Sequence, residues 1–195
     1  KKRRTARQLT TFKRSGESVL RWLENAVDNV IHEFVQNPNA EIRSESPALV
    51  GLIDALEGLL FHGFLADETN FWEWARVVKD LLPALASVSL CCEVVENLPE
   101  GLALRSWLAV ALNQGNLELQ IRALLHDTDH TAKAFAPESA VRSKQAEVLA
   151  LLAGLNGVTF SPSLPLPRSP RDASSRARRK SRAADPDTDG SESPN

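Results

Sequence analysis

Apolar residues recur along most of this chain at three- and four-residue steps, the spacing that gathers them on one face of an α-helix. A first stripe opens near Ser18 and runs through Leu20, Leu23, Val27, Val30, Ile31, Phe34 and Val35, and Asn37-Pro38-Asn39 breaks it. Ser44, Ser46 and Pro47 then form a helix-start signal, because proline is tolerated in a first turn. Leu49, Leu52, Ile53, Leu56, Leu59 and Leu60 follow on one stripe, with Gly63 as the expected stop. A third helix is predicted from about Asn70 through Phe71, Trp72, Trp74, Val77, Val78, Leu81 and Leu82, with Pro83 kinking or ending it. Residues 84–97 fit helix or strand. Leu102–Asn113 and Leu117–Leu125 read as two helices around Gly115, and Pro137-Glu138-Ser139 precede a last long helix to Gly154. No convincing strand alternation and no internal repeat is found. The fold class is all-α, one compact bundle of about seven to eight helices.

Composition agrees with that pattern. Hydrophobic residues make up 43% of the chain, mostly Leu, Ala and Val, and Tyr is absent. No apolar run approaches the roughly 18 residues of a membrane span, and nothing resembles a signal peptide. Met is missing even at position 1, as expected of a piece of a longer protein.

Charge divides the chain into three segments. Residues 1–14 carry seven Lys or Arg and no acid, and are expected to be a flexible basic N-terminal segment. They would serve either as a solvated end, as a nuclear signal or as a contact with anionic lipid. Residues 15–166 hold nine basic and twenty acidic side chains, 9 − 20 = −11, and form the predicted helical domain. A surface that acidic is a poor nucleic-acid binder. Residues 167–195 are rich in Ser, Pro and Arg with little apolar to bury, and read as a disordered tail. Ser181, after Arg178-Arg179-Lys180, resembles a basophilic kinase site, and Ser169-Pro170 a proline-directed one.

Reaction chemistry is hard to assemble from these residues. His126-Asp127-Thr128-Asp129-His130 offers two histidines four apart, but a metal site needs further ligands, and only His32 and His62 remain. The string falls where a helix finishes and is expected to be a polar, exposed loop. Cys91 and Cys92 are adjacent, so no ordinary disulfide framework is open to them, and Glu93 and Glu96 nearby would raise a thiol pKa. They are expected to pack as small apolar residues in a reduced, cytosolic interior. The nine glycines are scattered and make no phosphate loop. The expectation is a protein that is not an enzyme, with no metal and no cofactor. Phe71, Trp72, Trp107 and Leu112 are expected to be core anchors.

Five blocks, in order, resemble the RUN domain family. They are Leu56-Glu57-Gly58-Leu59-Leu60-Phe61-His62-Gly63-Phe64; Phe71-Trp72; Arg105-Ser106-Trp107-Leu108 with Ala111-Leu112-Asn113 and Leu117-Glu118; Phe135 with Ala140; and Leu151-Leu152-Ala153-Gly154-Leu155 leading to Phe160 and Leu164. Where the family carries Gly-Arg-Gly or Gly-Lys-Gly before the arginine, this chain has Leu102-Ala103-Leu104, which thins the basic patch. The resemblance implies an all-α adaptor that binds a Rab-, Rap- or Arl-type small GTPase in its GTP-bound form. It would couple endosomal, lysosomal or secretory vesicles to motors, tethers or autophagy machinery. That places the protein in the cytoplasm and peripherally on membranes. Arg105 would then be the main partner contact, supported by His62, Arg122 and the Gln114–Asn116 turn. Arg105 is otherwise an intramolecular ion pair between helices, and His62 a satisfied helix-end histidine. The alternative function is a scaffold that binds a partner helix, motor or cytoskeletal protein without regard to nucleotide state.

Overall fold

The computed structural model describes residues 15–65, 71–96 and 100–163. In chain order these form α1 (Gly16–Gln36), β1 (Ile42–Arg43), α2 (Pro47–Phe61), α3 (Phe71–Ala75), α4 (Val78–Leu81), α5 (Ala86–Glu96), α6 (Glu100–Asn113), α7 (Leu117–His126), α8 (Thr128–Ala134), α9 (Ala140–Ser143), α10 (Gln145–Ala153) and β2 (Phe160–Ser161). The fold is all-α, as the periodicity predicts. The segments 1–14 and 167–195, with Ser169 and Ser181, lie outside the described residues.

Local chemistry starts the long helices. Ser15 accepts from the Ser18 N–H at the head of α1, and Ser46 accepts from Ala48 and Leu49 at the head of α2. Ser46 also donates to the Glu33 carboxylate at 2.6 Å, tying the end of α1 to the start of its neighbour. α1 lies along α2, with Val19, Leu23, Ala26, Val27 and Val30 turned inward. α6 runs through the centre of the bundle. Every residue from Ala103 to Ala109 is buried, Arg105 and Ser106 included, so this helix has no solvent face over two turns.

Three expectations change and one open reading is resolved. The predicted third helix is two short ones, α3 and α4, joined by a turn at Arg76–Val77. Residues 86–96, open to either reading, are helical. The predicted last long helix divides at Lys144 into α9 and α10. Two strands of two residues each, β1 and β2, pair in parallel with Ile42 opposite Phe160, and bind the segment after α1 to the end of the described residues. Alternation cannot be recognised in two residues, which is why the sequence pattern missed them.

Candidate functional site

The end of α6 is shaped by its own sequence. Gly115 takes a φ of +64°, a left-handed conformation that suits glycine. Its N–H donates to the Leu112 carbonyl and the Asn116 N–H to that of Ala111, each at 3.0 Å. This is a Schellman end, and it turns the chain directly into α7.

A polar relay holds that turn from inside. The Trp107 indole N–H donates to the Gln120 side-chain carbonyl at 2.8 Å, and the Gln120 amide donates to Asn116 Oδ1 at 2.6 Å. Asn116 in turn donates to Ser87 Oγ at 2.9 Å and to Gln114 Oε1 at 3.3 Å. Trp107 and Gln120 are completely buried and Asn116 nearly so, so the low-dielectric interior strengthens each bond in the chain. Three elements, α5, α6 and α7, are thereby fixed to one another. Cys91 lies on the same relay. Burial pushes its thiol up to about 12, the adjacent Cys92 adds to the rise, and the Gln120 amide opposes it. Cys92 is likewise raised, first by burial and then by Glu96. Both thiols are neutral and buried.

Outside the relay lies a small, shallow recess whose walls are almost wholly buried. Leu112, Leu117, Leu152, Leu155, Val158 and Phe160 line it, from the α6–α7 turn, the end of α10 and β2. Glu118 stands on its rim and takes both Nε and Nη2 of Arg122, at 2.7 and 2.5 Å. The Arg122 side chain is 59% exposed, and Leu119, one turn away on the same helix, is also open to solvent.

The other residues expected to meet a partner are placed differently. Arg105 is only 2% exposed and turns inward, where Nη1 reaches Asp54 at 2.7 Å and Glu57 at 2.5 Å on α2. Direct contact between Arg105 and a partner is therefore corrected to an intramolecular ion pair that joins α6 to α2. A guanidinium on an all-round buried helix needs carboxylates to replace its water. Asp54 and Glu57 were missed, although two acids three apart in so apolar a helix signal a buried cation nearby. His62 is also buried. Its Nδ1 accepts the Ala140 N–H at 2.9 Å, which places the ring proton on Nε2 and caps α9. Asn116 is spent within the relay. Of the five residues expected at the surface, Arg122 is exposed and Gln114 half-exposed.

Phe71, Trp107 and Leu112 are buried, whereas Trp72 is half-buried and Trp74 takes the interior position instead. Trp74 packs among Phe71 and Phe135 with ring centroids 5.2 and 5.0 Å away. The 126–130 string is not a loop. His126 ends α7, Asp127 caps α8 by accepting the His130 N–H, and the His130 ring stacks 6.0 Å from Trp74 at an interplanar angle of 6°. The two histidines therefore stand on different helices, with Asp127 between them. Among the described residues, no three of His, Cys, Asp and Glu group as metal ligands.

A rigid helical scaffold with a stiffened turn beside an apolar recess is the architecture of a recognition module. Comparison with known proteins gives its family: the RUN domain model matches residues 21–166, and the chain belongs to the RUN domain family. It is similar to the protein RUFY3 of Homo sapiens and of Pongo abelii, in each case 26% identical over 133 residues and 64% of this chain. The matched stretch covers 28% of the length of those relatives.

Proposed function

We propose that this chain is a non-enzymatic adaptor whose RUN domain binds a Rab-, Rap- or Arl-type small GTPase in its GTP-bound state, through the face around the α6–α7 turn. Membership of the family supports an adaptor role linked to small GTPases in general. The observation that carries the finer reading is an apolar recess lined in part by Glu118, with the exposed Arg122 paired to that carboxylate one turn further along α7. A recess takes an apolar side chain, and an arginine beside it fixes orientation; arginine and aromatic anchors dominate interface energy. The buried relay keeps that face rigid, so little ordering entropy is lost on binding. Switch regions of small GTPases are ordered only with the γ-phosphate in place, so a rigid face selects that state.

Among the described residues, no helix is long and apolar enough to cross a membrane. The proposed location is therefore peripheral, on endosomal, lysosomal or other vesicle membranes, reached through the GTPase and shared with motors or tethers. The same recess also suits one apolar residue of a partner helix, which is the scaffold reading. Nucleotide dependence separates the two. Full-length chain is immobilised and probed with Rab, Rap and Arl proteins loaded with GDP or a non-hydrolysable GTP analogue. The adaptor reading expects one member to bind in the GTP form alone, and Arg122→Glu to weaken it at least tenfold. Equal binding of both nucleotide forms supports the scaffold.

A further inference from the structure

The solvent face of α5, and the corner that leads into it from α4, carry apolar side chains that the core does not use. From Leu81 to Cys92 the chain has no charged residue, and Leu81-Leu82-Pro83-Ala84-Leu85-Ala86 runs without a polar one. None of those six is buried. Along α5, Ala86, Leu90 and Val94 stand four apart and so form one stripe. The opposite side of the same helix, Val88, Cys91, Cys92 and Val95, is the side turned to the core. Leu81 is 36% exposed and Leu90 53%. Single apolar residues on a surface are ordinary, but a continuous stripe of them marks a contact.

Charge decides what the contact is with. Glu93 and Glu96 edge the stripe on α5, Asp80 stands on α4, and all three are exposed. Besides burial, the groups that act on the Cys92 thiol are Glu96, Lys79, Asp80 and Glu93, so three carboxylates and one ammonium gather on this side of α5. Such an edge, on a domain already strongly acidic, repels an anionic bilayer. A second copy of the chain would bring a second acidic domain against the first. A cationic partner is attracted by both features.

We propose that α5 and the 81–86 corner form a docking surface for an amphipathic helix of another protein, apolar at three- and four-residue steps and lined by Lys or Arg along one edge. α5 has 11 residues, and at about 1.5 Å per residue it offers such a helix roughly three turns of contact. None of the residues that line the recess comes from α5, and the inference does not depend on the GTPase reading.

The test uses the full chain and a synthetic helical peptide of about three turns, with leucines at i, i+4 and i+7 and lysines along one edge. Its controls are the same peptide with glutamates for lysines, and a scrambled lysine peptide. Methyl NMR should show the lysine-edged peptide shifting Leu81, Leu85, Leu90 and Val94, while Leu152 and Leu155 at the recess stay in place. Leu81→Asp with Leu90→Asp should weaken binding about tenfold or more, with the helical circular dichroism unchanged. Glu93→Lys with Glu96→Lys should invert the preference, so that the glutamate-edged peptide binds better; this arm stands even if the leucine variant loses its fold. Equal binding of the scrambled peptide, no shifts on α5, or an unchanged preference after charge reversal overturns the inference. So does binding to phosphatidylserine vesicles, or self-association in sedimentation, that the leucine double variant abolishes.

Discussion

Arg105→Ala would take from Glu57, a carboxylate as buried as the arginine, the guanidinium that neutralises it. Removing one partner of a buried pair costs about 3–5 kcal/mol, far more than a surface ion pair is worth. Urea unfolding should show that loss for Arg105→Ala. Arg105→Leu with Glu57→Leu should lose clearly less than the two single changes summed, because the orphaned charge is gone. Additive losses would mean the two groups do not depend on each other. Cys91 carries a pH signature at the same scale. Its thiol titrates near 9.0 in an unfolded chain and near 12 in this one. Below pH 9 the group is protonated in both states and contributes nothing. Above it only the unfolded chain loses the proton, so stability should fall by about 1.4 kcal/mol per pH unit toward pH 12. Unfolding at pH 8, 9.5 and 10.5 measures the slope, and Cys91→Ala should reduce it, leaving the part due to the likewise raised Cys92; an unchanged slope would remove Cys91 as a source.

The glycines that end α2 and α6 separate two effects at the scale of elements. Gly63 has a φ of +76°, and a Cβ there would lie 2.5 Å from Ser139 Cβ, whereas a Cβ on Gly115 would meet nothing within 4 Å. Gly115→Ala should cost only left-handed strain, about 1–2 kcal/mol. Gly63→Ala should add overpacking, bringing the loss to about 2–4 kcal/mol by urea unfolding. Equal losses would contradict the close approach of α9 to the α2 end. The helices were legible because their stripes are local, and both glycines read as stops from sequence. Which way a polar residue points is set by a distant element and was not legible. Arg105 looked like a surface hot spot until Asp54 and Glu57, about fifty positions earlier, came to lie beneath it. Gln120 gave a fainter signal, a polar residue three after Leu117 and one before Ile121 on a buried stripe.

At the scale of the whole molecule, buried polar ties hold the helices together and a small apolar recess lies between the α6–α7 turn, the end of α10 and β2. The Arg105 pair locks α6 to α2, and the Trp107–Gln120–Asn116–Ser87 relay locks α5 and α7 onto α6. Family membership was legible in the order of five short blocks. The recess was not, because its walls come from residues 112–118 and 152–160, which only tertiary packing brings together. The candidate site thus moves from the buried arginine to the recess and the exposed face of the adjoining α7, which carries Leu119 and Arg122. The most direct measurement compares one double variant with the unaltered chain against the GTP-loaded member that responds in the GTPase panel. Arg122→Glu with Leu119→Asp should lose at least tenfold in affinity while the helical circular dichroism and urea midpoint stay within error. Unchanged affinity in that variant, or equal binding of the GDP-loaded GTPase, would contradict the account.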